Sequence, residues 1–246
     1  MDRMLYVAMT GARETLQAQA ANNHNLANAS TTGFRADLAA FQARHVAGDG
    51  FNSRVYATAS TTGFDATTGT LVPTGRDLDV AVQGEGYIAV MAEDGREAYT
   101  RAGDLRIDSS GQLRTGTGLA VLGDGGPVSV PPHATIAIGG DGTVSIVPLG
   151  QGPETRAEVG RIKLVNPPAE ELTKGADGLL RMRDGSDAQP DASATLVSGV
   201  LETSNVNVAD ALVNMIELSR RFDLQVRAMK SAEDNGAASA RLLSLR

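Results

Sequence analysis

The 246-residue chain contains no cysteine and no tryptophan, and only 4% of its residues are aromatic. The absence of cysteine excludes disulfides, thiol nucleophiles and cysteine-ligated metals. The net charge is −7, with 29 acidic and 22 basic residues. A nucleic-acid binder or a polybasic membrane anchor needs a basic surface, so both classes are disfavoured. No stretch approaches the roughly 20 apolar residues of a membrane span, and we expect no direct membrane insertion.

The first residues do not have the pattern of a secretory signal. Met1, Asp2 and Arg3 precede an apolar run that covers only residues 4–9. A signal peptide needs an apolar region of about 7 to 15 residues and a cleavage site of small residues. If the protein leaves the cytoplasm, we expect export without a cleaved signal peptide.

Glycine, proline and charge are distributed very unevenly. Residues 46–204 contain 25 of the 28 glycines and all 9 prolines. The same segment carries 12 basic and 21 acidic residues, a net charge of −9, whereas each end of the chain is +1. Near-neutral, proline-free ends suit close association, and an acidic middle suits contact with water. The sequence therefore predicts two kinds of structure in one chain.

Both ends have the spacing of amphipathic helices, with one face recurring every three or four residues. Asn205 or Asn207 is a candidate N-cap for the second helix. Each helix is too weak to be stable alone, so we predict that the two pack as a coiled coil, with each other or with neighbouring copies. A helical hairpin folded back onto the central domain is the alternative. The predicted assembly interface consists of Leu5, Met9, Ala12, Leu16, Leu212, Met215, Leu218, Phe222 and Met229.

The middle of the chain has the period of two that is typical of short antiparallel strands. Residues 78–82 and 87–91 flank a glycine-rich turn and predict one hairpin, and residues 99–107 with 113–115 predict another. Further strands are predicted at 128–130, 135–138, 143–147 and 158–165. The fold class is therefore mainly β in the centre, flanked by long terminal helices. The predicted segments are a helix at 1–29, an extended connection at 30–74, a β-rich core at 75–203 and a helix at 204–246.

Candidate catalytic and metal-binding residues are few. None of the three histidines, His24, His45 and His133, is spaced as a metal ligand, and no metal or cofactor is predicted. Asp77 and Asp79 flank one strand residue, which would place both carboxylates on one face. Gly84 and Gly86 follow a strand as in a phosphate loop, but no helix follows them to bind a phosphate. Solvated surface charges are the simpler interpretation of these groups.

An asparagine-rich segment at residues 22–35 is the most unusual feature of the chain. Its asparagines can bond backbone groups where the first helix ends, and Gly33 can turn the chain. Phe34 can then hold the exit against an apolar surface. An ordinary helix end needs fewer of these residues.

Three blocks of the chain together resemble the rod and hook subunits of bacterial flagella, the axial protein family. The N-terminal block is Asn25, Leu26, Ala27, Asn28, Thr32, Gly33, Phe34 and Arg35, and the C-terminal block includes Ser204, Asn205 and Val206. The central block includes residues 78–81, 84–87 and 99–104. The blocks occur in the family's order and cover most of the chain.

The resemblance implies a structural subunit that is exported unfolded through the flagellar type III apparatus and assembles in the rod across the periplasm. Its partners would be other rod subunits, proximal and distal, and further copies of itself. The length and residues 76–79 favour a proximal-rod subunit. Residues 219–223 depart from the pattern of distal-rod and hook relatives, which are the alternative within the family.

A glycan-acting enzyme and a coiled-coil adhesin are the alternative functions from other classes. A periplasmic β-rich enzyme acting on glycans would use Asp77 with Asp79 or Asp104 as acid and base. Sugar sites rely on aromatic side chains that this chain mostly lacks. A free-standing coiled-coil adhesin would need longer and more apolar heptads. We therefore expect a structural protein and not an enzyme.

Overall fold

The computed structural model of the chain describes residues 4–45, 55–152 and 154–244, with side chains described for 5–38, 63–152 and 154–242. These residues form two compact units. The helical unit comprises the described residues of Met1–Ala27, Asp37–Gly63 and Asn207–Arg246. The β-rich unit comprises Asn28–Ala36 and the described residues of Phe64–Val206. His45, one of the three histidines considered above, has a side chain outside the described set.

Two long helices dominate the helical unit: α1, Met4–Ala27, and α2, Val208–Ser244. Neither contains proline, which would break a helix interior. Asn207 is the N-cap of α2, because its side-chain oxygen accepts hydrogen bonds from the N–H groups of Ala209 (3.0 Å) and Asp210 (3.4 Å). The prediction of an N-cap is thus confirmed at Asn207. Over the described residues, neither helix is long and apolar enough to cross a membrane.

The predicted coiled-coil packing of these helices is wrong. The large residues expected at the α1 seam, Leu5, Met9 and Leu16, are exposed. They lie about a third of a turn around α1 from the face that contacts α2. A coiled coil requires large apolar side chains at its seam, and α1 supplies small ones there. The buried small residues of α1 are Ala8, Gly11, Ala12, Thr15 and Ala18.

Two contacts show how closely the small-residue face of α1 approaches α2. A Cβ built on Gly11 would lie 2.9 Å from Nε2 of Gln225. One helical turn before the end of α1, Asn22 Nδ2 donates a hydrogen bond to the carbonyl oxygen of Ala211 (2.8 Å). These pairs run in opposite directions along the two helices, so α1 and α2 are antiparallel. The large apolar side chains of α1 remain outside this contact.

Eighteen strands are described, and every pairing whose register is described is antiparallel. Short strands with glycine turns between them follow from the period of two and the many glycines of the segment. A single 3-10 turn occupies Ala169–Glu171. The strands are β1 Asp37–His45, β2 Val55–Phe64, β3 Leu71–Pro73, β4 Val80–Gln83, β5 Tyr87–Met91, β6 Glu97–Thr100, β7 Leu105–Ile107, β8 Leu113–Thr115, β9 Ala120–Gly123, β10 Gly126–Pro127, β11 His133–Ile138, β12 Thr143–Pro148, β13 Ala157–Arg161, β14 Leu164–Val165, β15 Leu172–Lys174, β16 Leu180–Met182, β17 Thr195–Ser198 and β18 Val200–Glu202.

The largest sheet has nine strands in the order β15-β16-β6-β5-β9-β8-β7, with β14 paired to β5 and β10 to β9. A second sheet contains β11, β12 and β13. Two-stranded sheets pair β1 with β2, β4 with β17, and β3 with β18. Thus β3 and β4, which come before the large sheet in the chain, pair with strands that follow it. The mainly β character predicted for the centre of the chain agrees with this architecture.

The core lies on both faces of β5. Ile88 and Val90 belong to one buried cluster, and Tyr87 and Ala89 belong to the other. Successive side chains of a strand point to opposite faces, so all four can be buried only if both faces of the sheet are covered. The alternation seen in the sequence therefore does not mark a solvent-exposed face at β5.

Several strand predictions can be compared with the observed pairing. The strands predicted at 135–138 and 143–147 are confirmed as β11 and β12, which pair with each other. The hairpin predicted from 99–107 and 113–115 is confirmed for β7 and β8, but residues 99–107 are divided between β6 and β7. The predicted hairpin of β4 with β5 is wrong, because β4 pairs with β17, and β5 pairs with β6, β9 and β14. Both neighbouring positions of β5 are already occupied, so its nearest strand in sequence must pair elsewhere. The segment boundaries predicted at residues 29, 74 and 203 stay a prediction.

The hydroxyl of Tyr99, in the second core cluster, makes a buried hydrogen bond that a substitution can test. Its oxygen accepts a hydrogen bond from the N–H of Ala188 at 2.6 Å, and burial raises its pKa, so the group stays protonated. We expect Tyr99→Phe to lower the free energy of unfolding by about 1–3 kcal/mol, because a buried donor loses its acceptor. Urea denaturation followed by circular dichroism measures this. Tyr6→Phe, at an exposed tyrosine, should change stability little, and an equal loss in both variants would contradict the assignment.

Candidate functional site

The first motif residue, Asn25, ties the end of α1 to the start of β1. Its Oδ1 accepts a hydrogen bond from the N–H of Asp37 (2.7 Å), and its Nδ2 donates to the Asp37 carbonyl oxygen (2.9 Å). His24 Nδ1 lies 2.6 Å from Asp37 Oδ2. One amide side chain therefore satisfies both backbone polar groups of a single residue, because it carries a donor and an acceptor on separate atoms. Leu26 is half-buried and Ala27 is exposed.

The next motif residues turn the chain. The N–H of Thr31 donates to the carbonyl oxygen of Asn28 (3.1 Å), and the N–H of Phe34 donates to that of Thr31 (3.3 Å). Thr31 Oγ1 also donates to Asn28 Oδ1 (3.1 Å). Thr32, between these turns, is half-buried. The density of Asn and Thr in this segment is therefore explained by local side-chain and backbone bonds that replace those of a helix.

Gly33 occupies a position that no other residue fits. Its φ is +65°, the left-handed region that glycine adopts without a steric cost. A Cβ at this position would lie 2.2 Å from the backbone carbon of Arg101. The N–H of Gly33 donates to the carbonyl oxygen of Glu202 (2.8 Å). Three segments of the β-rich unit thus meet at this residue.

Phe34 is buried, as the sequence predicted for a residue that fixes the exit from the turn. The ammonium nitrogen of Lys174 lies 3.9 Å from the centroid of its ring, within the range of a cation–π interaction. Lys174 also donates to the carbonyl oxygen of Arg35 (2.6 Å). The lysine therefore holds both residues that follow Gly33.

Three charged side chains form what we call the clasp: Arg35, Glu202 and Arg101. Arg35 Nη2 lies 2.7 Å from Glu202 Oε1, and Arg101 Nη1 lies 3.0 Å from Glu202 Oε2. Glu202 is 0% exposed, and both arginines are buried. The N–H of Gly69 also donates to Glu202 Oε1 (2.7 Å). One carboxylate thus serves two guanidinium groups, and the clasp has a formal net charge of +1.

Backbone carbonyls and one aromatic ring complete the surroundings of Arg101. Its Nη2 donates to the carbonyl oxygen of Gly84 (2.6 Å) and its Nη1 to that of Val82 (3.3 Å). The guanidinium carbon lies 5.3 Å from the centroid of the Tyr87 ring. Burial lowers the pKa of Arg101, and burial also raises the pKa of Tyr87. Arg101 is therefore enclosed within the β-rich unit and is not a solvated charge on a sheet face.

Asn205, the C-terminal motif residue, joins two further segments. Its Oδ1 accepts from the N–H of Ala36 (2.8 Å), and its Nδ2 donates to the carbonyl oxygens of Asp65 (3.0 Å) and Thr67 (3.1 Å). Its backbone N–H donates to Phe34 O (3.3 Å). Asn205 is therefore not the N-cap of α2, and the N-terminal and C-terminal motifs contact each other inside the β-rich unit.

The predicted interface residues on α2 divide into two groups. Leu218 is buried, and Met215, Phe222 and Met229 are half-buried on the side that faces α1. Leu212 is exposed. A second apolar stripe lies on α2 nearly opposite the side that faces α1, and sequence reasoning missed it. It consists of Val213, Ile216 and Leu224, which are spaced for one face of a helix. Ile216 is 63% and Leu224 is 62% exposed.

Glu202 is the functional candidate that sequence reasoning missed most completely. It ends β18, directly after Val200 and Leu201, and precedes the C-terminal motif by two residues. An acidic residue at the end of an apolar strand next to a motif is the one signal available in the sequence. Its partners lie 167 and 101 positions earlier in the chain, so spacing could not reveal them.

The carboxylates considered for acid–base catalysis do not form an active site. Asp77 is exposed in a turn, whereas Asp79 is buried. The predicted placement of both on one face is wrong, because the strand begins only after Asp79. Two clefts of the β-rich unit lie elsewhere: one of about 480 Å³ contains Glu97 and Lys163, and the other contains Asp141 and Asp191. Among the described residues, no three His, Cys, Asp or Glu side chains are arranged to hold a metal ion.

Two family profiles match the chain. The profile described as "Flagellar hook protein FlgE/F/G D1 domain" matches residues 81–146. The profile described as "Flagellar basal body rod FlgEFG protein C-terminal" matches residues 197–242. The first match lies within the β-rich unit, and the second runs from β17 through most of α2.

Full-length relatives agree with these profiles. The chain is 44% identical over 251 aligned residues to the flagellar basal-body rod protein FlgF of Escherichia coli, and 43% identical to that of Salmonella typhimurium, with 100% of each chain covered in both cases. It is 32% identical to the flagellar basal-body rod protein FlgG of Bacillus subtilis, over 95% of this chain and 96% of the relative.

Replacing Gly33 tests whether its close approach to Arg101 matters. Gly33→Ala should be compared with Gly84→Ala, because both glycines have positive φ but a Cβ at Gly84 meets nothing within 4 Å. The left-handed backbone costs alanine about 1 kcal/mol at either site. The overlap with the backbone at Arg101 should add about 2 kcal/mol or more at Gly33 alone. Urea unfolding measures the difference, and equal effects would show that the contact is unimportant.

Proposed function

The chain belongs to the flagellar basal-body rod protein family, and on that premise we propose that it is a structural, non-enzymatic subunit of the proximal rod. It would assemble with other rod subunits, and with further copies of itself, into the drive shaft of the flagellum. The observation that carries the proposal is the full-length identity of 44% to FlgF of E. coli. The two FlgF relatives at 44% and 43% identity favour the proximal rod, whereas identity near 32% is found for FlgF and FlgG relatives alike.

The surface of the helical unit supports an assembly role. Met9 and Leu16 on α1 are 53% and 50% exposed, and Ile216 and Leu224 on α2 are exposed further still. Burying one such side chain contributes about 1.5–3 kcal/mol. Large apolar side chains that recur along two helices can therefore stabilise contacts with neighbouring subunits substantially. The predicted interface residues Leu5 and Leu212 are exposed as well and belong to the same proposal.

The geometry of the contacts decides whether such subunits build a rod. The exposed stripes on α1 and α2 differ from one another, so a contact between them is heterologous. Heterologous contacts that do not close into a ring propagate as an open helical stack. A rod of many subunits around a common axis is such a stack. The β-rich unit, which contains its own core clusters, would face the surroundings.

Export and location form part of the same proposal. The subunit would pass unfolded through the flagellar type III apparatus, without a cleaved signal peptide, and assemble across the periplasm. The weakness of the isolated helices supports this route, since their faces are completed only by partners. The separated positions of Asp77 and Asp79 give no support to a glycan-acting enzyme.

Substitutions on the exposed face of α2 test the assembly proposal. We expect the double variant Ile216→Gln and Leu224→Gln to abolish swimming in a strain that lacks its own copy of the gene. Both side chains are exposed, so the purified variant should keep its unfolding midpoint. Soft-agar motility and rod content of isolated basal bodies measure the effect. Export is followed separately by the amount of the subunit outside the inner membrane.

Leu149→Gln is the matched control, because Leu149 is 64% exposed but lies in the β-rich unit. It should swim normally. If the α2 double variant also assembled complete rods, the exposed stripe would not be an interface and the proposed role of α2 would fail.

A further inference from the structure

The clasp joins residues that become available at very different times when a chain emerges with its N-terminus first. Arg35 and Arg101 come early, and Glu202 comes last. In the folded β-rich unit, both arginines are buried, and their shared carboxylate is 0% exposed. Within the described residues, neither the guanidinium nitrogens of Arg35 nor Nε of Arg101 have a hydrogen-bond acceptor of good geometry, so Arg35 is compensated by its ion pair with Glu202 at 2.7 Å. Glu202 therefore provides the main compensation for two buried positive charges.

The backbone shows the same dependence on late residues. Val80 and Val82 of β4 pair with Ser198 and Leu196 of β17. Of the strands that precede the large sheet, β3 and β4 each form a two-stranded sheet with a late partner, β18 and β17 respectively. The N–H groups of Gly33 and Ala36 bond to Glu202 and Asn205. Early segments of the β-rich unit thus obtain their partners from residues 195–205.

The nine-stranded sheet does not share this dependence. Its strands span Tyr87–Met182, and they pair with one another or bridge to residues that also precede β17. The backbone pairing of this sheet can therefore form without residues 195–205. The core cluster around Ile88 and Val90 is completed later, because it also includes Leu196. The β-rich unit thus combines a sheet whose strand pairing needs no late residues with the segments 31–36, β3 and β4, whose pairing does.

We propose that Glu202 is the counterion that closes the β-rich unit, so that residues 31–36, β3 and β4 cannot dock stably until residue 202 is present. Docking them earlier would bury two guanidinium groups without a carboxylate, which is strongly unfavourable. For a chain delivered with its N-terminus first, a step that rests on the proposed export route, the clasp delays closure until about four-fifths of the chain has emerged. The two motifs thereby join only in a nearly complete subunit.

Hydrogen exchange on the purified full-length chain tests this inference. Glu202→Gln keeps the shape of the side chain and an acceptor for the N–H of Gly69, but removes the charge. We expect the amides of Gly33, Ala36 and Thr74, which donate to Glu202, Asn205 and Gly199, to exchange at least tenfold faster in this variant. The amides of Ile88 and Val90, in the large sheet, should change by much less. Glu170→Gln, at an exposed glutamate, should leave all of these rates unchanged.

A second variant separates loss of charge pairing from general damage. Adding Arg35→Met to Glu202→Gln removes one of the two uncompensated charges. The double variant should recover at least half of the lost protection on a logarithmic scale, even if Glu202→Gln alone unfolds. No recovery, or unchanged exchange at Gly33 and Ala36 in the single variant, would overturn the clasp as the closing element. An equal loss of protection at Ile88 and Val90 would overturn this order of closure.

These measurements need neither export nor assembly. A failure of the exchange experiment would leave the rod assignment intact. A failure of the motility experiment with the α2 variants would leave the clasp intact.

Discussion

Glu202 is the carboxylate on which the organisation of the β-rich unit depends. It forms ion pairs with two buried arginines and accepts hydrogen bonds from Arg101 and from the backbone of Gly69, and its own carbonyl oxygen accepts from Gly33. A buried charge is tolerated only when it is paired, so each of these groups requires the others. The first segment of this unit, Asn28–Ala36, and its last residues, 202–206, are therefore joined in one connected network.

The two units use their apolar side chains in opposite ways. The β-rich unit buries both faces of β5 and completes its own core. In the helical unit, α1 contributes alanine, glycine and threonine to the contact with α2, while Met9, Leu16, Ile216 and Leu224 remain exposed. Large exposed side chains that recur along a helix mark a surface that a partner can cover. The division of labour proposed for a rod subunit, with helices that assemble and a β-rich unit that folds by itself, follows from this contrast.

Local features of the fold were predictable from sequence, whereas long-range pairings were not. Asn207 caps α2 and β11 pairs with β12 because the residues that decide these features are neighbours in the chain. The prediction of a β4–β5 hairpin was wrong because β4 pairs with residues 195–198. The prediction of a coiled coil was wrong because it relied on the periodicity of large apolar residues. Gly11 shows that α1 approaches α2 through small residues instead. Within the site, the motifs identified Gly33 and Asn205, but an isolated Glu202 carries no pattern.

Electron microscopy of the assembled basal body at side-chain resolution is the measurement that tests the central claim most directly. The account predicts that Met9, Leu16, Ile216 and Leu224 are covered by neighbouring subunits, while the β-rich unit keeps the clasp inside one chain. A rod in which these four side chains face water, or a basal body in which this subunit is absent from the rod, would contradict it.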